Sequence, residues 1–250
     1  MEVFSTIKIT ENKKSVVESL VVEEFSLTIV LGGERFVTLL CSPSDLKSLV
    51  MGFLFTSGVI KKSSDIKDIT IDLDKGVAMA EQGFVPLELK MPGIFTSSGG
   101  KEVLNFDKTG KIYSKFTIKS SNIYSLMEDF LNKSQIFSKT GGVHSAALSD
   151  GEKIVIFKED IGRHNAVDKV IGEALFEDIS LADKALITTG RVSSEIVVKI
   201  QRCGIPVIIS KSAPTNQAVR FSEDTGITLI GFARKSSLNI YTREDRVAIE

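Results

Sequence analysis

Two short polar runs have the residue types for ligand chemistry: TTGRVSS at 188–194 and SKSAPT at 210–215. Each sets hydroxyls beside one cation, Arg191 in the first and Lys211 in the second. Such segments suit an anionic, phosphate-bearing ligand, because hydroxyls and turn amides donate hydrogen bonds while the cation supplies charge. A plainer role is helix capping, for which Ser and Thr are preferred. Two adjacent turns that each carry a cation favour the ligand role. The two histidines sit in unusual surroundings. His164 lies in EDIGRHNAVDK at 159–169, where Arg163 and His164 open a helical pattern. That pair could read an anion at a helix start, or could form a structural cap with Arg163 paired to Glu159 or Asp160. His144, in TGGVHSAA at 140–147, reads as a structural rather than a catalytic histidine.

Other chemistries are disfavoured by spacing. A zinc deaminase needs a His or Cys two residues before a Glu and then Pro-Cys-x-x-Cys. His144 is followed by Ser145 and Ala146, and Cys41 and Cys203 are the only cysteines. No zinc site is expected, and no Gly-x-x-x-x-Gly-Lys-Ser/Thr phosphate loop occurs. The two thiols lie far apart and read as small packing residues. Their scarcity suits a reducing compartment.

Each of the two polar runs follows an apolar strand (185–187, then 206–209) and precedes an amphipathic helix. Strand, turn, helix, repeated, predicts parallel strands with crossover helices, whose ligands sit beyond the strands' carboxyl ends. Around this core the pattern predicts a hairpin at 146–157, a helix at 165–176, a helix at 215–223 and strands at 227–232 and 238–241. A helix is expected at 123–131, from Ile123, Leu126, Met127, Phe130 and Leu131. The N-terminal half reads as antiparallel α+β. A hairpin turns at Gly32-Gly33, a helix follows with Ser42 or Ser44 as N-cap, and strands come at 68–73, 77–81 and 85–89. Residues 1–15 read as polar and frayed. The expected domains are 16–90, a loop-rich connection at 91–120, and an α/β domain at 121–250.

A chain of 250 residues can bury a substantial core, and 42% hydrophobic with 25% charged residues is ordinary for a soluble protein. The net charge of −1 argues against broad binding to nucleic acid. Neither a signal peptide nor a membrane span is legible, so the expectation is a soluble cytoplasmic protein.

The runs TGGVHSAAL (140–148), EDIGRHNAVDKVIG (159–172), TTGRVSSEIVVKI (188–200), GIPVIISKSAPTNQAV (204–219) and GFARKSSLNIYT (231–242) resemble the FdhD/NarQ family. These are the formate dehydrogenase accessory sulfurtransferases. VVEEFSLTIVLGGERFVTLLCSP, from Val21, and MGFLFTSGVI, from Met51, also fit, so the resemblance covers nearly the whole chain. It implies a cytoplasmic homodimer whose C-terminal half has a cytidine-deaminase-like fold without the zinc. It further implies binding of the molybdenum cofactor as bis-molybdopterin guanine dinucleotide. Sulfur would pass to that cofactor from a cysteine desulfurase before the cofactor enters formate dehydrogenase. Nucleic acid and membrane are not expected partners.

The resemblance marks Phe232, Ala233, Arg234, Lys235, Ser236 and Ser237 as a cofactor-binding segment. From the residues alone, Arg234 and Lys235 could pair with phosphates or form an exposed basic turn. With them, the expected cofactor set comprises Thr189, Gly190, Arg191, Ser193, Ser212, His144, Arg163 and His164. One departure stands. Family members usually carry Cys-x-x-Cys in the central loop after a Thr-Ser-Ser-like run, and a cysteine there holds the persulfide. Here that position falls near Ser97, Ser98, Gly99 and Gly100, with no cysteine. Sulfur transfer needs a thiolate, which a serine hydroxyl cannot replace. Two readings follow: a sulfur carrier, or a cofactor-binding chaperone that transfers no sulfur. A deaminase-like enzyme is a third class, disfavoured by the missing zinc ligands.

Overall fold

The computed structural model describes residues 1–83 and 110–249. The chain begins with β1 (Glu2–Thr10) and β2 (Lys13–Val21), then β3 (Phe25–Leu31), β4 (Glu34–Cys41), α1 (Leu46–Thr56), β5 (Ile66–Asp72) and β6 (Val77–Gln82). After the undescribed segment come β7 (Ile118–Lys119), α2 (Ser120–Lys133), α3 (Gln135–Thr140), β8 (His144–Ser149), β9 (Ile154–Asp160) and α4 (Arg163–Phe176). The remainder is β10 (Ala185–Thr188), α5 (Ser194–Arg202), β11 (Val207–Ser210), α6 (Asn216–Thr225), β12 (Thr228–Gly231), β13 (Asn239–Thr242) and β14 (Val247–Ala248).

The two strand–turn–helix units are present. β10, β11 and β12 run parallel in a six-stranded sheet ordered β13-β12-β11-β10-β8-β9. Every residue of those three strands is buried, as apolar runs covered on both faces require. α4, α5 and α6 cover one face through Val167, Val170, Ile196, Ile200 and Ala218. α2 covers the other through Ile123, Leu126, Met127 and Phe130. The three-layer α/β architecture is therefore realised, and each fully buried Val, Ile or Leu in it contributes about 1.5–3 kcal/mol.

The N-terminal half is a second sheet, ordered β4-β3-β6-β5, with α1 packed over it. One of its pairings is parallel, β3 with β6 (Thr28 opposite Val77), so the sheet is mixed. A parallel neighbour needs a crossover, and the path through α1 supplies it. Residues 1–15 are not frayed. They form most of a two-stranded hairpin in which Val, Ile and Thr recur at strand spacing, turned at Glu11 and Asn12. Both turn residues have positive φ (47° and 65°), as a two-residue type I′ hairpin demands. Position 16 thus falls inside β2 rather than at a domain edge. The strand expected at 85–89 and most of the connection at 91–120 lie outside the described residues.

α1 is not capped by Ser42 or Ser44. Its N-cap is Asp45, at φ 51° and without a side-chain cap bond. Ser42 turns instead to the other half of the molecule: its amide donates to Asp160 Oδ2 at 2.9 Å, and its hydroxyl accepts from the Ile161 amide at 3.1 Å.

α1 and α4 cross with their backbones nearly touching. A Cβ on Gly52 would lie 1.8 Å from the Asp168 carbonyl oxygen, and one on Gly172 would lie 1.8 Å from that of Ser48. Neither carbonyl can yield without separating the helices. Gly172→Ala is therefore expected to lower stability by about 3 kcal/mol, the upper end of ordinary overpacking. Urea unfolding checks this, and a midpoint matching wild type would mean that the helices tolerate separation.

Candidate functional site

The carboxyl ends of β10, β11 and β12 meet at one edge, and the turns that leave them are stitched into a single surface. Ser212 Oγ donates to the Thr189 carbonyl at 2.8 Å, and Ser210 Oγ to that of Gly190 at 2.8 Å. The Lys211 amide reaches Thr188 O (3.0 Å), Phe232 N reaches Ser212 O (3.2 Å), and Ala233 N reaches Ser210 O (2.9 Å). Hydroxyls chosen by sequence for a ligand thus also serve the scaffold. Phe232 holds φ 51°, a left-handed conformation uncommon for a bulky residue, while being 39% exposed.

Beside this edge lies a cleft of about 450 Å³. His144, Thr189, Lys211 and Ser212 form one wall, with the Gly141-Gly142 turn, and Phe130 and Phe137 contribute aromatic surface. His144 Nδ1 is 3.3 Å from Thr189 Oγ1, which also accepts the Ser145 amide at 3.0 Å. Burial pushes the His144 pKa below its ordinary value, and the neighbouring Arg163 and His164 push it further.

Arg163, at the start of α4, runs against Gly190, where a Cβ would meet the Arg163 Cβ at 2.8 Å. Only glycine leaves room for that side chain. Its Nε is buried without a hydrogen-bond partner among the described residues. Burial and the neighbouring Arg191 disfavour its charged form, while Glu195 favours it. His164 Nε2 stands 3.1 Å from Glu195 Oε2, and the hydrogen bond from His164 holds the Glu195 carboxyl below the usual range. Arg163 pairs with neither Glu159 nor Asp160. Glu159 instead accepts from Ser134 Oγ at 2.5 Å, and Asp160 forms a fully buried ion pair with Lys169 at 2.7 Å.

Of the expected residues, His144, Thr189 and Ser212 line the cleft. Arg163 and His164 gather beside Glu195, with Gly190 and Arg191 adjoining Arg163. Ser193 is the N-cap of α5, with a buried hydroxyl that finds no partner among the described residues. The segment from Phe232 to Ser237 leaves β12 at the same edge. Arg234 is exposed there, its amide bonded to Ser237 O at 2.8 Å, and Lys235 pairs with Glu128 of α2 at 2.7 Å. Ser97, Ser98, Gly99 and Gly100 lie outside the described residues. Both cysteines are buried. Burial, reinforced by Asp160, pushes the Cys41 thiol up to about 12, and burial likewise raises Cys203. Among the described residues, no group of three or more His, Cys, Asp or Glu gathers closely enough to hold a metal ion. No helix among them is long and apolar enough to cross a membrane.

Sequence reasoning missed Glu195, Ser134 and Phe137. Glu195 looks like an ordinary first-turn acid, favoured there by the helix dipole, so nothing in the sequence tied it to His164. Phe130 was legible only as a core position of α2.

The shift on His144 has a stability consequence of fixed sign. Its folded-state pKa is below the unfolded value, so the unfolded chain binds more protons as pH falls through that value, about 6.5. The neutral ring therefore adds stability above that pH, which is lost on acidification. The NMR titration midpoint of His144 is expected below 6.5 and should rise in Arg163→Ala. The drop in melting temperature between pH 7 and 5.5 should shrink in His144→Gln. An unshifted midpoint would contradict the burial argument.

Comparison with known proteins adds a consistent result. The FdhD/NarQ family model matches residues 22–248. A Bacillus pumilus (strain SAFR-032) protein named Sulfur carrier protein FdhD is 43% identical over 235 residues, 91% of this chain and 90% of that one. The protein of the same name from Bacillus subtilis (strain 168) is 40% identical over 248 residues, 93% and 92% of the respective chains. Among solved structures, one from Desulfotalea psychrophila, assigned as a formate dehydrogenase accessory protein, superposes with a TM-score of 0.85. It is 25% identical, and the match covers 99% of both chains.

Proposed function

This chain belongs to the FdhD/NarQ family, and from that premise we propose that it serves formate dehydrogenase maturation as a sulfur carrier. Its cargo is the molybdenum cofactor in its bis-molybdopterin guanine dinucleotide form. Its partners are a cysteine desulfurase as donor, a formate dehydrogenase as recipient and a second copy of the chain, all in the cytoplasm. The observation that carries the reading is the meeting of three parallel strand ends, their hydroxyl- and cation-bearing turns, and an adjoining cleft of about 450 Å³.

The donor set fits such a cargo. Arg163 Nε and Ser193 Oγ are buried polar atoms with no partner among the described residues, as groups awaiting a phosphate oxygen would be. Arg191, Lys211 and Arg234 supply exposed positive charge at the same edge. His144, kept neutral by burial, offers a hydrogen bond rather than a charge. The hydroxyls of Thr189, Ser212, Ser236 and Ser237 complete the set. When bound, the cofactor supplies the molybdenum centre that accepts sulfur; the protein's part is to hold it, turn it and exclude water.

The sulfur step needs a thiolate, and a thiol with a pKa near 12 is almost wholly protonated at neutral pH. Carriage on Cys41 or Cys203 therefore requires the chain to expose one of them when it meets the donor. The names of the similar proteins support the carrier; the alternative is a chain that binds and delivers the cofactor without transferring sulfur. Intact-mass spectrometry after incubation with a cysteine desulfurase and cysteine, without reductant, separates the two. One sulfur atom gained on Cys41 or Cys203 supports the carrier. No gain, with guanine nucleotide binding intact, leaves delivery alone.

For the binding step, Arg234→Ala is expected to weaken guanine nucleotide affinity by about 1.5–3 kcal/mol, the range for a hydrogen bond to a charged group. Lys61→Ala, on the N-terminal half, should leave it unchanged. Calorimetry with a guanosine diphosphate probe measures both, and equal losses would remove Arg234 from the site.

A further inference from the structure

Among the described residues, no third strand pairs with the hairpin of β1 and β2, an arrangement marginally stable alone in water. Its faces are not alike. On one, the register sets Val3 opposite Leu20, Ser5 opposite Glu18, Ile7 opposite Val16 and Ile9 opposite Lys14. The five apolar side chains there are exposed: Val3 60%, Ile7 58%, Ile9 72%, Val16 73% and Leu20 39%. The other face carries only Phe4, Val17 and Val21 as apolar residues among Glu2, Thr6, Lys8, Thr10, Lys13, Ser15 and Ser19, with a Thr6–Ser19 hydroxyl bond at 2.7 Å. A contiguous exposed apolar face of this kind marks an interaction surface.

The charges on that face say what covers it. Lys14 and Glu18 are its only charged residues, both on β2, and each is two positions from Val16. A two-fold axis passing over the Ile7–Val16 pair, across the strands, reverses the direction of the second copy. It lays Lys14 over the other copy's Glu18, and Glu18 over its Lys14, with Ile7 and Val16 of both copies between them. A surface complementary to itself in this way is what an isologous two-fold interface requires. The wider charges agree. Lys8, Lys13 and Lys14 outnumber the single acid Glu11 toward the tip, and Glu2, Glu18, Glu23 and Glu24 lie toward the root. We propose that the apolar face of the β1–β2 hairpin is the dimer interface, formed with the same face of a second copy around Ile7 and Val16.

The root of the hairpin borders the cleft. The Val22 side chain packs against Gly142, close enough that a Cβ there would lie 2.8 Å from a Val22 methyl. A second copy held on the hairpin therefore stands beside the cleft wall.

The inference deepens the second-copy part of the proposed function and is tested without sulfur or cofactor. Sedimentation of the full-length chain at micromolar concentration is expected to give the mass of two chains. Lys14→Glu and Glu18→Lys, each alone, should set like charges together and raise the dimer dissociation constant at least ~10-fold. The double variant K14E/E18K should return it to near the wild-type value. Because the double variant is the more altered chain, its rescue cannot come from a hairpin that fails to fold. A monomeric wild type overturns both the interface and the expectation of a second copy, and leaves the face to another protein. A dimer indifferent to all three variants places the contact elsewhere, and single losses without rescue overturn the two-fold arrangement. None of these outcomes touches the sulfur-carrier reading, which the mass measurement decides separately.

Discussion

The close approach of α1 and α4 is the constraint on which the rest of the molecule depends. Gly52 and Gly172 let two helices from different halves cross at backbone contact, leaving no space for a side chain between them. On one side of the crossing, Asp160 and Lys169 form an ion pair with no exposed surface. Asp160 also accepts from the Ser42 and Gly162 amides and from Asn165, and Lys169 donates to the carbonyls of Ser42 and Glu159. On the other side, Lys199 reaches Asp168 at 2.6 Å and Thr56 Oγ1 at 2.9 Å, and Thr56 Oγ1 donates to Asp168 at 2.7 Å. Buried pairs of this kind offset their desolvation only when every group is satisfied, so they are weak sources of stability. What they do supply here is geometry, because their partners are met only in one placement of the two halves.

That placement reaches the cleft through α4. The helix that carries Gly172 begins with Arg163 and His164, and it starts from the same Asp160 that receives the Ser42 amide. A shift of the N-terminal half would therefore move the start of α4 against Gly190 and Glu195. The site is formed by the C-terminal half but aimed by the contact between halves. This also accounts for Ser42, whose amide and hydroxyl serve the interface rather than the nearest helix.

The sequence was most legible where local pattern and tertiary role coincide. The apolar runs of β10, β11 and β12 and the amphipathic spacing of α2 and α5 were readable because burial follows their period. The turns at 188–194 and 210–215 were readable as neighbours because parallel strands bring such turns together. Contacts made across long separations were less legible. The Glu195–His164 pair, the Ser42–Asp160 hydrogen bond and the parallel pairing of β3 with β6 join residues whose local sequence reports only helix starts or ordinary strands. The first hairpin was missed for a different reason. Its alternation is interrupted by Lys, Glu and Ser, and one of its faces is apolar without covering another element among the described residues.

The placement of the two thiols has a practical side. Cys41 belongs to the core under the N-terminal sheet, and Cys203 to the core between the central sheet and its helices. Each half thus contains one silent reporter. A small alkylating reagent modifies either only when the surrounding core opens, so the two labelling rates read local opening of each half independently. Should the halves come apart as one cooperative unit, as their shared helix crossing suggests, the two clocks will keep the same time.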